Sequence, residues 1–202
     1  MKNQARRAAE RSPYLFLKRL LDVVFSLLLL ILLAFPMAII GIAVGLSSRG
    51  GVIFRQMRIG REGKPFICYK FRTMVRYAPP ERPSSAFDDV ARYVTPVGRF
   101  LRKTSLDELP QLWNVLRGDM SLVGPRPLIG AEQGVHSLRA EHGVYRVRPG
   151  MTGLAQVMGR DRLGDSEKAA FDARYVERLC LREDLWIVGK TLLHLFEKET
   201  VK

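Results

Sequence analysis

The hydrophobic positions of this chain follow three rhythms. The first is unbroken: residues 23–46 are apolar or small and carry no charge. At about 1.5 Å per residue, such a run could span a hydrocarbon core of about 30 Å, so a transmembrane helix is the first expectation. Pro36 falls near the middle and cannot donate to the Leu32 carbonyl, which breaks or kinks the helix. The arm over 23–35 is then only about 20 Å long. Both flanks are basic. Lys2, Arg6, Arg7, Arg11, Lys18 and Arg19 stand against Glu10 and Asp22 on one side, and Arg49, Arg55, Arg58, Arg61 and Lys64 against Glu62 on the other. Cationic flanks favour the cytoplasmic side. A helix that enters, turns at Pro36 and returns satisfies both observations and is favoured over a straight span. A signal peptide fits less well: Ala43-Val44-Gly45 loosely resembles a cleavage site, but the run exceeds the usual ~7–15 apolar residues. Three segments follow: a basic cytoplasmic segment (1–22), a re-entrant membrane helix broken at Pro36 (23–46) and a cytoplasmic domain (47–202).

The second rhythm is alternation. Residues 52–54 and 66–71 predict short strands around a Gly60-Arg61-Glu62-Gly63 turn, with Ile67, Tyr69 and Phe71 alternating against Cys68, Lys70 and Arg72. The third is helical. Thr95-Pro96 opens a short helix with Thr95 as cap. Leu109, Leu112, Trp113 and Leu116 share one helical face that ends at Arg117-Gly118. Residues 166–179 predict a helix capped by Ser166. Residues 185–196 are amphipathic, and Leu185, Val188, Leu192 and Phe196 suit either the core, the favoured reading, or a lipid interface. Three prolines in 78–85 predict a loop, a connector or mobile flap. The fold class expected is α+β, mainly helical with a short β-hairpin, and membrane-associated through the proline-broken helix.

Charge narrows the function. A formal charge of +13 and a pI near 10.3 call for an anionic partner: nucleic acid, anionic lipid or a phosphorylated substrate. Cys68 and Cys180 lie far apart, and His136, His142 and His194 lack zinc spacing, so neither a disulfide framework nor a zinc site is expected. There is no Walker A motif and no dinucleotide fingerprint. The arginines are spread among prolines and glycines, unlike a nucleic-acid-binding helix.

Against this background Asp107-Glu108 stands out. Two adjacent carboxylates in a positive field can stay ionised, attack phosphorus and hold a divalent cation. The blander reading is a capping box, Ser105-Leu106-Asp107-Glu108, with Ser105 as cap. Pro110 disfavours it, because it cannot donate to the Leu106 carbonyl, and predicts an irregular turn. In Gly124-Pro125-Arg126-Pro127 two prolines stiffen the backbone that presents Arg126, as phosphate recognition requires. Arg148-Pro149-Gly150 repeats this more weakly, and Met151-Thr152-Gly153 offers a small-residue stretch for close approach of backbone to a ligand.

Together, Phe54-Arg55-Gln56, Tyr69-Lys70-Phe71-Arg72-Thr73-Met74, Ser105-Leu106-Asp107-Glu108-Leu109-Pro110-Gln111, the block from Gly118 to Pro127 and the block from Arg148 to Gln156 resemble the bacterial sugar transferases, the small monotopic phosphoglycosyl transferases. The blocks occur in family order across nearly the whole chain. The resemblance implies transfer of a sugar-1-phosphate from a UDP-sugar to undecaprenyl phosphate, a polyprenol phosphate. UMP is released, and the path runs through a covalent phosphosugar-aspartyl intermediate with Mg²⁺. This would be a first membrane step of glycoconjugate synthesis, such as exopolysaccharide biosynthesis. It implies Asp107 as nucleophile and magnesium contact, Glu108 as helper (positioning the polyprenol phosphate or taking its proton), and Arg102, Arg126 and Arg148 as phosphate or substrate contacts. Pro36, Lys18, Arg19 and Asp22 would mark membrane re-entry. It further implies a catalytic domain with interfacial helices at the cytoplasmic face of the bacterial inner membrane, both termini cytoplasmic and no nucleic acid partner. A homodimer is compatible with it. The minimal family form is expected, without a further membrane domain.

Two positions depart from the pattern: Phe35 replaces the serine usual before the breaking proline, and Met158 an asparagine common after Gln156. The competing class is a membrane-anchored basic protein that binds anionic lipid or nucleic acid without catalysis.

Overall fold

The computed structural model describes residues 13–47, 50–77, 90–159 and 162–196. The loop expected over 78–85 and the cations at positions 2–11 lie outside them. Helix α1 (Pro13–Leu32) begins ten residues before the apolar run and passes through position 22 without a break. Helix α2 (Ala34–Ser47) follows after Leu33, and the two are bent by 63°. Hydrogen bonds persist on either side of the bend, from Leu33 N to Leu29 O and from Met37 N to Leu33 O, both 2.8 Å. Pro36 sits in the first turn of α2, where its missing N–H withholds a bond from the Leu32 carbonyl. Phe35 projects outward and is exposed. Among the described residues no single helix is long and apolar enough to cross a membrane, whereas the bent pair together has the length and composition. Phe16, Leu20, Phe25, Leu28, Ile31 and Leu32 of α1, and Ile39, Ile42 and Leu46 of α2, are exposed.

The early start of α1 has a packing cause. Arg19 donates to the carbonyls of Val115 (2.6 Å) and Leu116 (2.8 Å). These belong to the last turn of α4 (Gln111–Arg117), where carbonyls lack helical partners and attract a cation. Asp22 is buried and accepts from Ser121 Oγ and Leu122 N. Lys18 is buried against Asp184 at 2.5 Å. The trio expected at membrane re-entry therefore fastens α1 to the rest of the protein.

Strands β1 (Ile53–Ile59) and β2 (Pro65–Phe71) form an antiparallel hairpin with Ile53 opposite Phe71 and Ile59 opposite Pro65. The turn falls where expected, but β1 is longer than 52–54 and includes Arg55 and Arg58. The alternation gives two faces: Cys68 is buried on one, and on the other Ile67 stays exposed while Phe71, at the end of the strand, is buried. Asn114 of α4, fully buried, completes one edge: its Oδ1 accepts from Tyr69 N and its Nδ2 donates to Ile67 O.

Helix α3 (Pro96–Thr104) is capped as expected, Thr95 Oγ1 accepting from Gly98 N at 2.9 Å. Gly98 is required by contact, since a Cβ there would lie 2.0 Å from the Thr73 carbonyl oxygen. Strands β3 (Ser121–Val123) and β4 (Gly150–Thr152) make a short parallel pair. Here the small-residue stretch serves backbone packing: a Cβ on Gly153 would lie 2.1 Å from Gly124 O. Helices α5 (Gln133–Glu141), α6 (Leu154–Met158), α7 (Asp165–Glu177) and α8 (Leu181–Phe196) complete the domain. Helix α7 starts one residue before Ser166. Its cap is Gly164, whose N–H is held by Glu167 at 2.8 Å.

The main core joins Val123, Val144, Leu154, Tyr175 and Ile187. A second cluster joins Val44 of α2 to Phe71 and Leu101, with Leu106 and Leu109 packed against it. Two expected faces are corrected. On α4 the buried positions are Gln111, Leu112, Asn114 and Val115, while Trp113 is exposed. On α8 the buried side is that of Asp184 and Ile187, and Leu185, Val188 and Leu192 are exposed, so the core reading fails for these three, the Phe196 side chain lying outside the described part. In both helices buried polar groups claim the inner face: Asn114 serves the hairpin, and Asp184 binds Lys18.

Candidate active site

The turn that carries Asp107-Glu108 is built by its neighbours. Helix α3 ends at Ser105, which adopts a left-handed conformation (φ 56°). A 3₁₀ turn, Leu106–Glu108, follows, and α4 starts beyond Pro110. Ser105 therefore ends one helix instead of capping the next, and its side chain makes no capping bond. The capping box does not form, and the irregular turn expected from Pro110 does. In a 3₁₀ turn positions i and i+3 eclipse. Leu106 and Leu109 thus share one side and pack against the cluster of Val44, Phe71 and Leu101. Asp107 and Glu108 lie between these anchors.

The two carboxylates have different surroundings. Glu108 Oε1 lies 2.5 Å from Lys70 Nζ and 3.5 Å from Arg126 Nη1. The Lys70 and Glu108 side chains are only 19% and 20% exposed. Burial alone would raise the Glu108 pKa, but Lys70 and Arg126 outweigh it and hold it at about 2. No hydrogen bond or ion pair among the described residues holds the Asp107 carboxylate. Burial is the largest influence on it, Lys70 offsets part and Glu108 adds repulsion, so its pKa is raised to about 6. The positive field keeps one carboxylate firmly ionised and leaves the other short of a counter-charge. Both remain mostly ionised at neutral pH, as the positive field led one to expect, but they are held so unequally.

Arg102 stands beside Asp107. Its Nε donates to Thr73 Oγ1 at 2.9 Å, and burial lowers its pKa while the Asp107 charge opposes that shift. Arg126, Lys70, Arg58, Cys68, Gln111 and Pro127 line one recess. Arg58 donates to the Pro127 carbonyl at 3.0 Å and to Gln56 Oε1 at 2.5 Å, and its buried Nε has no partner. The structure thus gathers Asp107, Glu108, Arg102 and Arg126. It does not bring Arg148 to them: Arg148 Nε donates to Gly118 O at 2.8 Å, at the C-terminus of α4, in the company of Arg19 and Arg61. Lys70 and Arg58 were missed as site residues. Both lie in or beside blocks that carry the family resemblance, and Lys70 shares the strand face of Cys68, which was the available signal.

Among the described residues no group of three or more histidine, cysteine or carboxylate side chains could hold a metal. The arrangement offers one carboxylate with no ion-pair partner and a set of guanidinium and ammonium groups around one recess, suited to a phosphorylated ligand.

Comparison with known proteins agrees with this chemistry. The chain is 42% identical over 190 residues to the undecaprenyl-phosphate galactose phosphotransferase of Salmonella typhimurium, covering 87% of this chain and 40% of that protein. It is 39% identical over 189 residues to the exopolysaccharide production protein ExoY of Sinorhizobium fredii, covering 87% and 83%. It is 44% identical over 183 residues to the UDP-glucose:undecaprenyl-phosphate glucose-1-phosphate transferase of Caulobacter vibrioides, covering 87% and 68%. The chain therefore spans less than half of the Salmonella protein and most of the ExoY protein. The bacterial sugar transferase model matches residues 13–198, from the start of α1 past the end of α8, and the protein belongs to that family.

Proposed function

We propose that this protein transfers a sugar-1-phosphate from a UDP-sugar to undecaprenyl phosphate and releases UMP. The observation that carries the reading is the division of the carboxylate pair: Glu108 is fixed by Lys70 and Arg126, while the half-buried Asp107 carboxylate is held by no ion pair or hydrogen bond among the described residues. The names of its relatives, which act on undecaprenyl phosphate and in one case UDP-glucose, support the substrate classes.

In the first step an Asp107 carboxylate oxygen attacks the phosphorus that bears the sugar. The bond from that phosphorus to the bridging oxygen breaks, and UMP leaves with the electron pair. In the second step an oxygen of undecaprenyl phosphate attacks the same phosphorus, the aspartyl–phosphorus bond breaks, and Asp107 is regenerated. Division through Asp107 lets a soluble donor and a lipid acceptor use one site in turn. Lys70, Arg126 and Arg102 offset the charge that two phosphorylated reactants bring together. A carboxylate held at about 2 is a weak base at neutral pH, so Glu108 is assigned to orienting Lys70 and Arg126 and not to taking a proton.

Asp107 is the residue that would hold Mg²⁺. The fit is of the kind Mg²⁺ uses in phosphoryl enzymes, where one or two carboxylates suffice and substrate phosphates and water complete the shell. When bound, the ion would supply charge neutralisation on the diphosphate. The exposed apolar surfaces of α1 and α2 suit burial in the cytoplasmic leaflet as a re-entrant pair, and the exposed Leu185, Val188 and Leu192 of α8 suit the interface. Both termini would then be cytoplasmic.

The test is UMP release from UDP-glucose or UDP-galactose by the purified full chain in nanodiscs with undecaprenyl phosphate and Mg²⁺. Asp107→Asn should abolish release and the covalent adduct seen by intact-mass spectrometry. Full activity of that variant would refute the mechanism.

A further inference from the structure

Arg126 is the one exposed residue between buried neighbours: 123–125 and 127–129 are all buried. Beyond Val123 this mostly buried segment forms neither helix nor strand, so its carbonyls must find donors elsewhere. Four in succession do. Pro125 O accepts from Gly150 N (2.9 Å), Arg126 O from Arg139 Nη1 (2.8 Å), Pro127 O from Arg58 Nη1 (3.0 Å) and Leu128 O from Ile59 N (2.9 Å).

The bond to Arg126 itself comes from the deepest ion pair in the molecule's described part. Arg139 of α5 donates through Nε (2.9 Å) and Nη2 (2.5 Å) to Asp172 Oδ2 of α7, and the two side chains are 4% and 1% exposed. Burying both charges is expensive, and apolar residues of similar volume usually hold a core as well or better. What an apolar pair cannot do is donate to a backbone carbonyl. The guanidinium spends two nitrogens on Asp172, which fixes its plane, and points the third at the carbonyl of the residue whose side chain meets Glu108.

We propose that Arg139, oriented by Asp172, is a positioning residue that sets where Arg126 presents its guanidinium to a substrate phosphate. This rests on the reading of Arg126 as a phosphate-binding group. Lysine at 139 keeps the charge near Asp172 but cannot serve the carboxylate and the carbonyl with one fork, so the segment loses its central brace.

The experiment is a double-mutant cycle on binding, made in the full-length Asp107→Asn chain in nanodiscs so that no chemistry follows. Titrations with UDP-glucose and UDP-galactose, with Mg²⁺, compare Arg139→Lys, Arg126→Ala and the double variant. The expected result is a Kd raised about tenfold by Arg139→Lys and by less than about twofold when Arg126→Ala is already present, the non-additivity of residues that act through one another. Asp172→Asn, which keeps shape and an acceptor, should shift Kd in the same direction with a smaller loss of thermal stability, and it carries the cycle if Arg139→Lys does not fold. Independent, additive losses, or an unchanged Kd in a folded Arg139→Lys chain, would overturn the proposal, as would the absence of binding to either nucleotide sugar. Binding that follows the cycle without UMP release by the chain with Asp107 restored would instead count against the transfer reaction and leave the positioning role standing.

Discussion

Replacing Asp107 by asparagine should make the protein more stable while destroying its activity. The Asp107 carboxyl pKa is raised from 3.8 to about 6, chiefly by burial. That shift corresponds to about 3 kcal/mol at neutral pH, by which the ionised group disfavours the folded state. Because the folded-state value is the higher one, the contribution favours folding fully below about pH 3.8 and is lost as pH rises through about 6. Asparagine is neutral throughout and nearly isosteric, so at pH 7.5 it recovers part of this, about 1–2 kcal/mol once its imperfect hydrogen bonding is discounted. For a chain of this size that is about 2–8 °C in Tm. At pH 5 the aspartate is already mostly protonated and the gap should nearly close. Thermal unfolding in EDTA, followed by the fluorescence of Trp113 and Trp186 at pH 5, 6, 7 and 7.5, reads the gap directly. UMP release should meanwhile fall at least about a thousandfold, as for loss of a nucleophile. A variant less stable than the parent at pH 7.5, or a gap that ignores pH, would refute the account of Asp107 as a carboxylate whose desolvation outweighs its cationic neighbours.

Glu108→Gln should do the opposite and lower stability by about 2–3 kcal/mol at pH 7.5, since Lys70 loses its buried partner. Its folded value lies below the ordinary one, so this contribution is present above pH 4.5 and disappears toward about 2, as an acid-side unfolding series would record. Lys70→Met should reduce UMP release about 10- to 1000-fold and move the acid limb of the pH–rate profile upward, because it removes the largest influence that lowers the pKa of both carboxylates. Gly98→Ala should destabilise by at least about 2 kcal/mol in a denaturant titration, since the new methyl would meet the Thr73 carbonyl oxygen at 2.0 Å and α3 would have to move. Lys18→Met should cost about 3–5 kcal/mol by leaving Asp184 buried against Tyr14 and Tyr175 without its cation, and protease accessibility of α1 should rise with it.

Local chemistry accounts for what was legible in the chain alone. The bend before Pro36, the cap at Thr95, the stop at Gly118 and the irregular turn before Pro110 each follow from one residue's dihedral limits or missing donor, which act on immediate neighbours whatever the fold. Charge setting and flanking prolines already marked Asp107 and Arg126, and the family blocks added the roles expected of them. What tertiary structure decided was which distant groups meet. Lys70 reaches Glu108 across 38 positions and Lys18 reaches Asp184 across 166, pairings that no local pattern encodes. The same applies to the errors. Arg148 shares the proline-flanked setting of Arg126 but is placed at the end of α4 by the β3–β4 pairing. Leu185, Val188 and Leu192 have the periodicity of a core face but yield it to Asp184 and Ile187, because a buried ion pair must be enclosed and a hydrophobic stripe can be covered elsewhere. Sequence determined where the backbone must break and which side chains could do chemistry. Packing determined which carboxylate acquired ion-pair partners and which did not, because burial and charge act through space.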